Sequence, residues 1–242
     1  MTDHLVALGA ARQLSLYAFL VAASRFVPIP FVDDLLPERL RRRMVQQLLR
    51  QAGRSYSAKK VAPIYADPGG CVAGCIGWAI LLPFKLLLYP IRKILAVIGA
   101  AREVSQRMVT TFLLGRTVAR VLDRGLLLEG TPDADLDQQA KRFRACFDRT
   151  LESTNTTIFG SPLEAALSSS RGLVRAGAKL GRRLSQRSEA EPGDPAEPAD
   201  LPAADRSVIE RVTGVVQSVL ERPEVIAMIA DFDARFDAAW SG

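Results

Sequence analysis

From Ile91 to Leu122 the chain repeats apolar or small residues at alternating steps of three and four: Ile91, Ile94, Ile98, Ala101, Ser105, Met108, Phe112, Gly115, Ala119 and Leu122. An α-helix turns once in about 3.6 residues, so this spacing draws one stripe along one helix face. Sustained over 32 residues, it predicts a heptad-like helix of roughly 50 Å at 1.5 Å per residue. Such a stripe has to be buried, either inside the chain's own bundle or against a partner or a second copy. Gly125 is the predicted stop.

The same period recurs on both sides of this helix. Leu5 to Phe26 predicts a first helix, with Leu8, Leu16, Phe19 and Ala23 on its stripe. Leu14 to Ala23 also resembles the apolar core of a signal peptide, but Asp3 lies in its head and Arg12 is its only cation there, which argues against that reading. Pro28 and Pro30 then hold the chain extended. Asp33 or Asp34 is placed to cap a second helix running to about Gln51, with Gly53 in C-cap range. Leu36, Leu40, Met44, Leu48 and Leu49 form its apolar side, and Arg39, Arg43 and Arg50 lie opposite, flanked by Arg41 and Arg42. Ser55 to Gly70 reads as polar and turn-like.

Thr131-Pro132 predicts another helix start, with Thr131 as the cap and Pro132 as the first helical residue. Leu136, Ala140, Phe143, Phe147 and Leu151 carry that helix's apolar face. Asn155 to Pro162 reads as a loop and Leu163 to about Ser185 as a further helix. Ser188 to Asp205 holds four prolines, six acids and no basic residue, the composition of a linker. Two amphipathic helices follow, separated by Pro223. Phe232, Phe236 and Trp240 make too large a patch to leave exposed, so the pair is expected to dock on the bundle. No period-two strand pattern interrupts this series. The expected fold is all-α: an irregular, basic helical bundle over 1–187, an acidic linker over 188–205, and a C-terminal helix pair over 206–242.

Composition narrows the chemistry. His4 is the only histidine, and it sits where chains are usually poorly ordered, so Ser-His and Cys-His catalysis are disfavoured and two-His metal sites are excluded. Cys71, Cys75 and Cys146 make an incomplete zinc shell and no closed disulfide set, which points to a reducing cytosol. Asp133, Asp135 and Asp137 open like a calcium loop. The loop then fails, with Gln138 where glycine is needed and Arg144 where the bidentate glutamate belongs. No phosphate-binding glycine loop and no nucleophile elbow occur. No catalytic residue, metal ligand or cofactor is therefore assigned.

Charge is more informative. Met1 to Gly125 carries 18 basic and 7 acidic residues, a net of +11, whereas the remainder carries 14 and 19, a net of −5. A basic body of this kind points to an anionic partner. The lipid- or anion-binding residues assigned from the sequence are Arg39, Arg41, Arg42, Arg43 and Arg50, then Arg92 and Lys93, then Arg171, Arg175, Lys179, Arg182 and Arg183. Nucleic acid is disfavoured because no recognised binding motif accompanies them. Val72 to Tyr89 adds nine Leu, Ile, Val and Phe residues, contributing about −4 to −5 kcal/mol to membrane insertion. Lys85, Pro83 and the glycines oppose this, so the sum falls near zero. The stretch is thus balanced between spanning a bilayer, lying on it, and packing in a core. The acidic linker is read as a cover competing with lipid for Arg171 to Arg187.

The stretch VPIPFVDDLLPERLRRRMV, with the later LYPIRKIL, resembles a bacterial family of uncharacterised helical proteins in which a P-x-P-x-x-D-D head precedes a basic helix and a Pro-interrupted apolar stretch follows. The resemblance covers the front half. Cys71, Cys75 and the acidic linker are not part of the pattern. It implies an α-helical, bacterial, membrane-associated protein and no particular activity. The expected function is therefore non-enzymatic: a helical protein docking on an anionic membrane surface, at its cytoplasmic face or free in the cytoplasm. Self-association or protein binding through 91–122 is the alternative, and an enzyme of unrecognised class a second one.

Overall fold

The computed structural model describes residues 2–23, 35–56, 59–66, 102–125, 131–168, 176, 179 and 203–241. Among them are eight α-helices and no strand, so the fold is all-α as expected. They are α1 (Thr2–Ala23), α2 (Leu35–Gln51), α3 (Ala62–Tyr65), α4 (102–123), α5 (Asp133–Glu152), α6 (Thr157–Ser168), α7 (Ala203–Leu220) and α8 (Pro223–Ser241).

The long periodic helix is the axis of the bundle. Of its predicted stripe, Ser105, Met108, Phe112 and Leu122 are buried and Ala119 is half-buried. Burial does not stop at the stripe: Val104, Val109, Leu113, Leu114, Val118 and Val121 are buried too. Several helices surround α4. A methyl group added at Gly115 would lie 2.5 Å from a Leu14 methyl on α1 and 2.9 Å from the Met44 sulfur on α2. Phe112 meets Phe159 of α6 edge-on at 5.7 Å. The described part of the stripe is thus used inside the chain's own core.

Helix directions follow from paired contacts. Gln51 donates to Gln13 at 2.9 Å and Tyr17 donates to Gln47 at 2.7 Å, so α1 and α2 run antiparallel. Arg142 donates to the Trp240 carbonyl at 2.6 Å and Arg235 to the Ser153 carbonyl at 2.9 Å, so α5 and α8 are antiparallel as well. Phe143 and Phe147 of α5 interlock with Phe236, Trp240 and Phe232 of α8, with ring centroids 5.6 to 6.5 Å apart. The C-terminal pair therefore docks, as its apolar stripes required. α7 packs on α1 and α6, and α8 on α5 and α6. Phe232 and Phe236 are among the most deeply buried side chains.

Chain ends of helices match the sequence in some places and correct it in others. Gly53 adopts φ 72°, with Arg54 N–H bonded to the Leu49 carbonyl and Gly53 N–H to that of Arg50. This is the left-handed cap that glycine adopts without a Cβ penalty. Gly125, with φ 78°, ends α4 as expected. Thr131 is not the cap of α5. Pro132 occupies that position with extended backbone (φ −54°, ψ 145°), and its carbonyl accepts the first helical bond, from Leu136 N–H at 2.9 Å. The expected loop over Asn155 to Pro162 shortens to 153–156, because the Asn155 carboxamide accepts from the Thr157 N–H and hydroxyl and starts α6 there. Pro162 lies inside α6. The stretch after α2 is not wholly polar loop: α3 forms around Pro63, tolerated in a first turn, and buries Ile64 and Tyr65. α7 begins at Ala203, three residues inside the stretch read as linker.

Candidate anion-docking surface

α2 is built with one side for the core and one for the outside. Leu40, Met44, Val45, Leu48 and Leu49 are buried. Arg39, Arg42 and Arg50 are exposed, and Arg41 and Arg43 are half-buried. The helix carries five arginines against one acid, Glu38, which sits in its first turn. Arg50 lies in the last turn, where a cation is favoured by the carbonyl end of the helix dipole.

The five arginines are not equivalent. Arg43 is half-buried and near enough to Tyr17 of α1 for the two to affect each other's charge. Burial lowers its guanidinium pKa, partly offset by the Tyr17 hydroxyl. Tyr17 shows the reverse case: burial raises its phenol above the ordinary value, although Arg43 and Arg50 pull it down. Arg42 lies near Tyr65 of α3, whose phenol is raised chiefly by burial, with Arg42 opposing and Glu38 assisting. Arg39, Arg42 and Arg50 form the outward basic face; Arg41, about 200° round the helix from Arg39, lies off it. Exposed Lys59 and Lys60 follow α2, and Lys60 pairs with Asp133 at 2.7 Å.

The remaining sequence-assigned residues divide as follows. Lys179 is helical and exposed. Arg92, Lys93, Arg171, Arg175, Arg182 and Arg183 lie outside the described residues, as do Val72 to Tyr89, Cys71, Cys75 and most of the acidic stretch. Cys146 is a buried free thiol, donating to the Ala239 carbonyl at 3.3 Å. No group of three or more candidate metal ligands occurs among the described residues, and no described helix is long and apolar enough to cross a membrane.

One charged cluster was not among the residues picked from the sequence. Arg116, Arg120 and Arg124 lie along α4 at four-residue intervals and face Asp233 and Asp237 of α8. Asp233 accepts from Arg116 at 2.9 Å and from Arg120 at 2.6 Å. Asp237 accepts from Arg120 at 2.8 Å and from both terminal nitrogens of Arg124, at 2.6 and 2.7 Å. Both sets ascend together, so α4 and α8 run parallel. Bonding from Arg124 is the main cause that holds the Asp237 carboxyl below its ordinary pKa, against partial desolvation and with Arg120 assisting. The Arg116 Nε is buried without an acceptor. The signal was present as two matched i, i+4 patterns, Arg116/Arg120/Arg124 and Asp233/Asp237, which a search for apolar periodicity passes over.

The ladder adjoins the end of α2. Arg54, just past the Gly53 turn, donates to the Leu122 carbonyl at 3.1 Å. This places Arg54 at the C-terminal end of α4, two residues from Arg124. Arg54 thus brings a further basic side chain to the end of α4. No family model, curated protein or solved structure matches the chain.

Proposed function

We propose that this chain is a non-enzymatic, peripheral membrane protein that docks on anionic lipid through the outward basic face of α2, at the cytoplasmic side of the membrane. The observation that carries this reading is the division of labour on α2. Its apolar side is committed to the core, while Arg39, Arg42 and Arg50 are exposed with a single acid on the helix. A helix so held cannot sink into a bilayer by its apolar side, so its contribution is electrostatic. Each well-placed arginine adds about 1 kcal/mol near an anionic leaflet. Three together give weak, reversible attachment, and firm attachment needs a second signal. The apolar sequence from Val72 to Tyr89 is the candidate for that signal. The soluble alternative, self-association through 91–122, gains no support from the stretch 102–122, whose stripe faces the chain's own core.

The test is sedimentation with vesicles of phosphatidylcholine, with and without 30% phosphatidylglycerol (about 30% is a working composition). The wild-type protein is expected in the pellet with the anionic vesicles alone. Arg39→Glu/Arg42→Glu/Arg50→Glu should shift it to the supernatant while its melting temperature stays well above the assay temperature. Equal recovery in the supernatant with both lipids at low salt rejects the reading. Tight duplex DNA binding with a steep salt dependence would replace lipid by nucleic acid as the anion.

A further inference from the structure

The Arg116–Arg120–Arg124 stripe has more positive charge than its carboxylates neutralise. Three guanidinium groups face two carboxylates, and the Arg116 Nε lacks an acceptor. The two ends of the ladder differ. Asp233 is 9% exposed and sits between Arg116 and Arg120, beside the Phe232 packing. Asp237 is 30% exposed and holds Arg124, which is 47% exposed. Arg124 is thus the stripe member most open to solvent, and a side chain of α8 occupies both its terminal nitrogens. It also lies at the end of α4, where Arg54, three residues past α2, donates to the Leu122 carbonyl.

We propose that Asp237 acts as an intramolecular competitor that masks Arg124, and one arm of Arg120, from phosphate-bearing anions at the membrane surface. A carboxylate and a phosphodiester make the same paired bonds to a guanidinium, so one can replace the other. The rest of α8 stays in place during this exchange, because its aromatic residues are buried against α5. α8 is a fixed bearer of the competing group, and the exchange takes place at the solvent edge of the ladder. The inference rests on the lipid-docking reading for its source of phosphate, and concerns regulation of that same surface.

The experiment compares Asp237→Asn with Asp137→Asn. Both remove one negative charge, but Asp137 pairs with Lys141 on the exposed side of α5, outside the ladder. On vesicles with 30% phosphatidylglycerol (again about 30%), Asp237→Asn is expected to bind about fivefold tighter than wild type, the gain from one additional well-placed basic residue. Asp137→Asn should stay within about twofold, and Asp237→Asn/Arg124→Gln should lose the gain. Asp237→Ser serves as the second variant if the asparagine variant melts early. Equal gains for Asp237→Asn and Asp137→Asn, or a gain that survives Arg124→Gln, overturn the proposal. Inorganic tripolyphosphate, titrated into the same proteins by calorimetry, separates this from the lipid reading. A gain with tripolyphosphate and no vesicle binding by any variant rejects lipid as the source and keeps the masking. No gain with either probe rejects the masking itself.

Discussion

The two sides of α8 meet their neighbours by different physics. Towards α5, Phe232, Phe236 and Trp240 interlock with Phe143 and Phe147, and Arg142 lies over the Trp240 ring at 5.1 Å. Towards α4, Asp233 and Asp237 meet three arginines. Apolar burial is proportional to area and non-directional, so it constrains register less sharply than paired charges do. A ladder of paired charges resists a slip of one residue, which turns both aspartates about 100° away. The aromatic side thus holds α8 in the bundle, and the ionic side fixes its direction and register against α4. Buried ion pairs commonly add little net stability because desolvation offsets their attraction, and specification of register is their best-attested use.

The largest expected effect breaks the aromatic side. Phe232→Ala removes a ring with no measurable exposure and leaves a cavity beside Phe147. It should cost about 3 to 5 kcal/mol, read as a loss of the unfolding midpoint in urea. A loss below about 1 kcal/mol would mean that α8 is not a core element.

A smaller effect is expected on the ionic side. Asp233→Ala leaves Arg116 and Arg120 without their shared acceptor, but both retain access to water, so about 1 to 3 kcal/mol should be lost. The sharper comparison is Asp233→Leu combined with Arg116→Met and Arg120→Met. Recovered stability with a broadened near-ultraviolet dichroism signal would assign the ladder to register. Failure to recover would assign it to stability.

The smallest effect is acid titration of Asp237. Its carboxyl is held below the ordinary carboxylate value, first by the bonds from Arg124 and then by Arg120. The stabilisation from this group is therefore complete above about pH 4, the unfolded carboxylate value, and fades as pH falls through the lower folded value. Melting curves between about pH 5 and 2 should show a wild-type decline that is shallower in Asp237→Asn. Identical slopes would show that Asp237 gains nothing from its arginines on folding.

Much of this architecture could be read from spacing alone. The helical period of 105–122 marked residues that are buried, and Gly53 and Gly125 marked helix ends by the only backbone conformation they were placed to supply. The Phe232/Phe236/Trp240 spacing announced an apolar face in need of a partner. What spacing could not supply was the partner. α4 and α8 are separated by 113 residues at their Arg124–Asp237 contact, and nothing local in either sequence states that an arginine series and an aspartate pair will meet. The start of α6 was missed for a different reason: the proline at 162 suggested a break, while the helix was set by Asn155 and Thr157. On the basic surface, composition identified α2, but the nearness of Arg43 to Tyr17 and of Arg42 to Tyr65 depends on how α1 and α3 pack.

The parallel pairing of α4 with α8 also has a consequence in time. Peptide chains are made at about 5 to 20 residues per second. The 113 residues between Arg124 and Asp237 thus take roughly 6 to 23 seconds to appear after Arg124 itself. Throughout that interval the arginine stripe has no aspartates to face, and Phe143 and Phe147, once made, have no α8 rings to cover them. A newly made chain is then most cationic and most apolar on the same unfinished side. The side that α8 later covers is therefore open while the chain is being made.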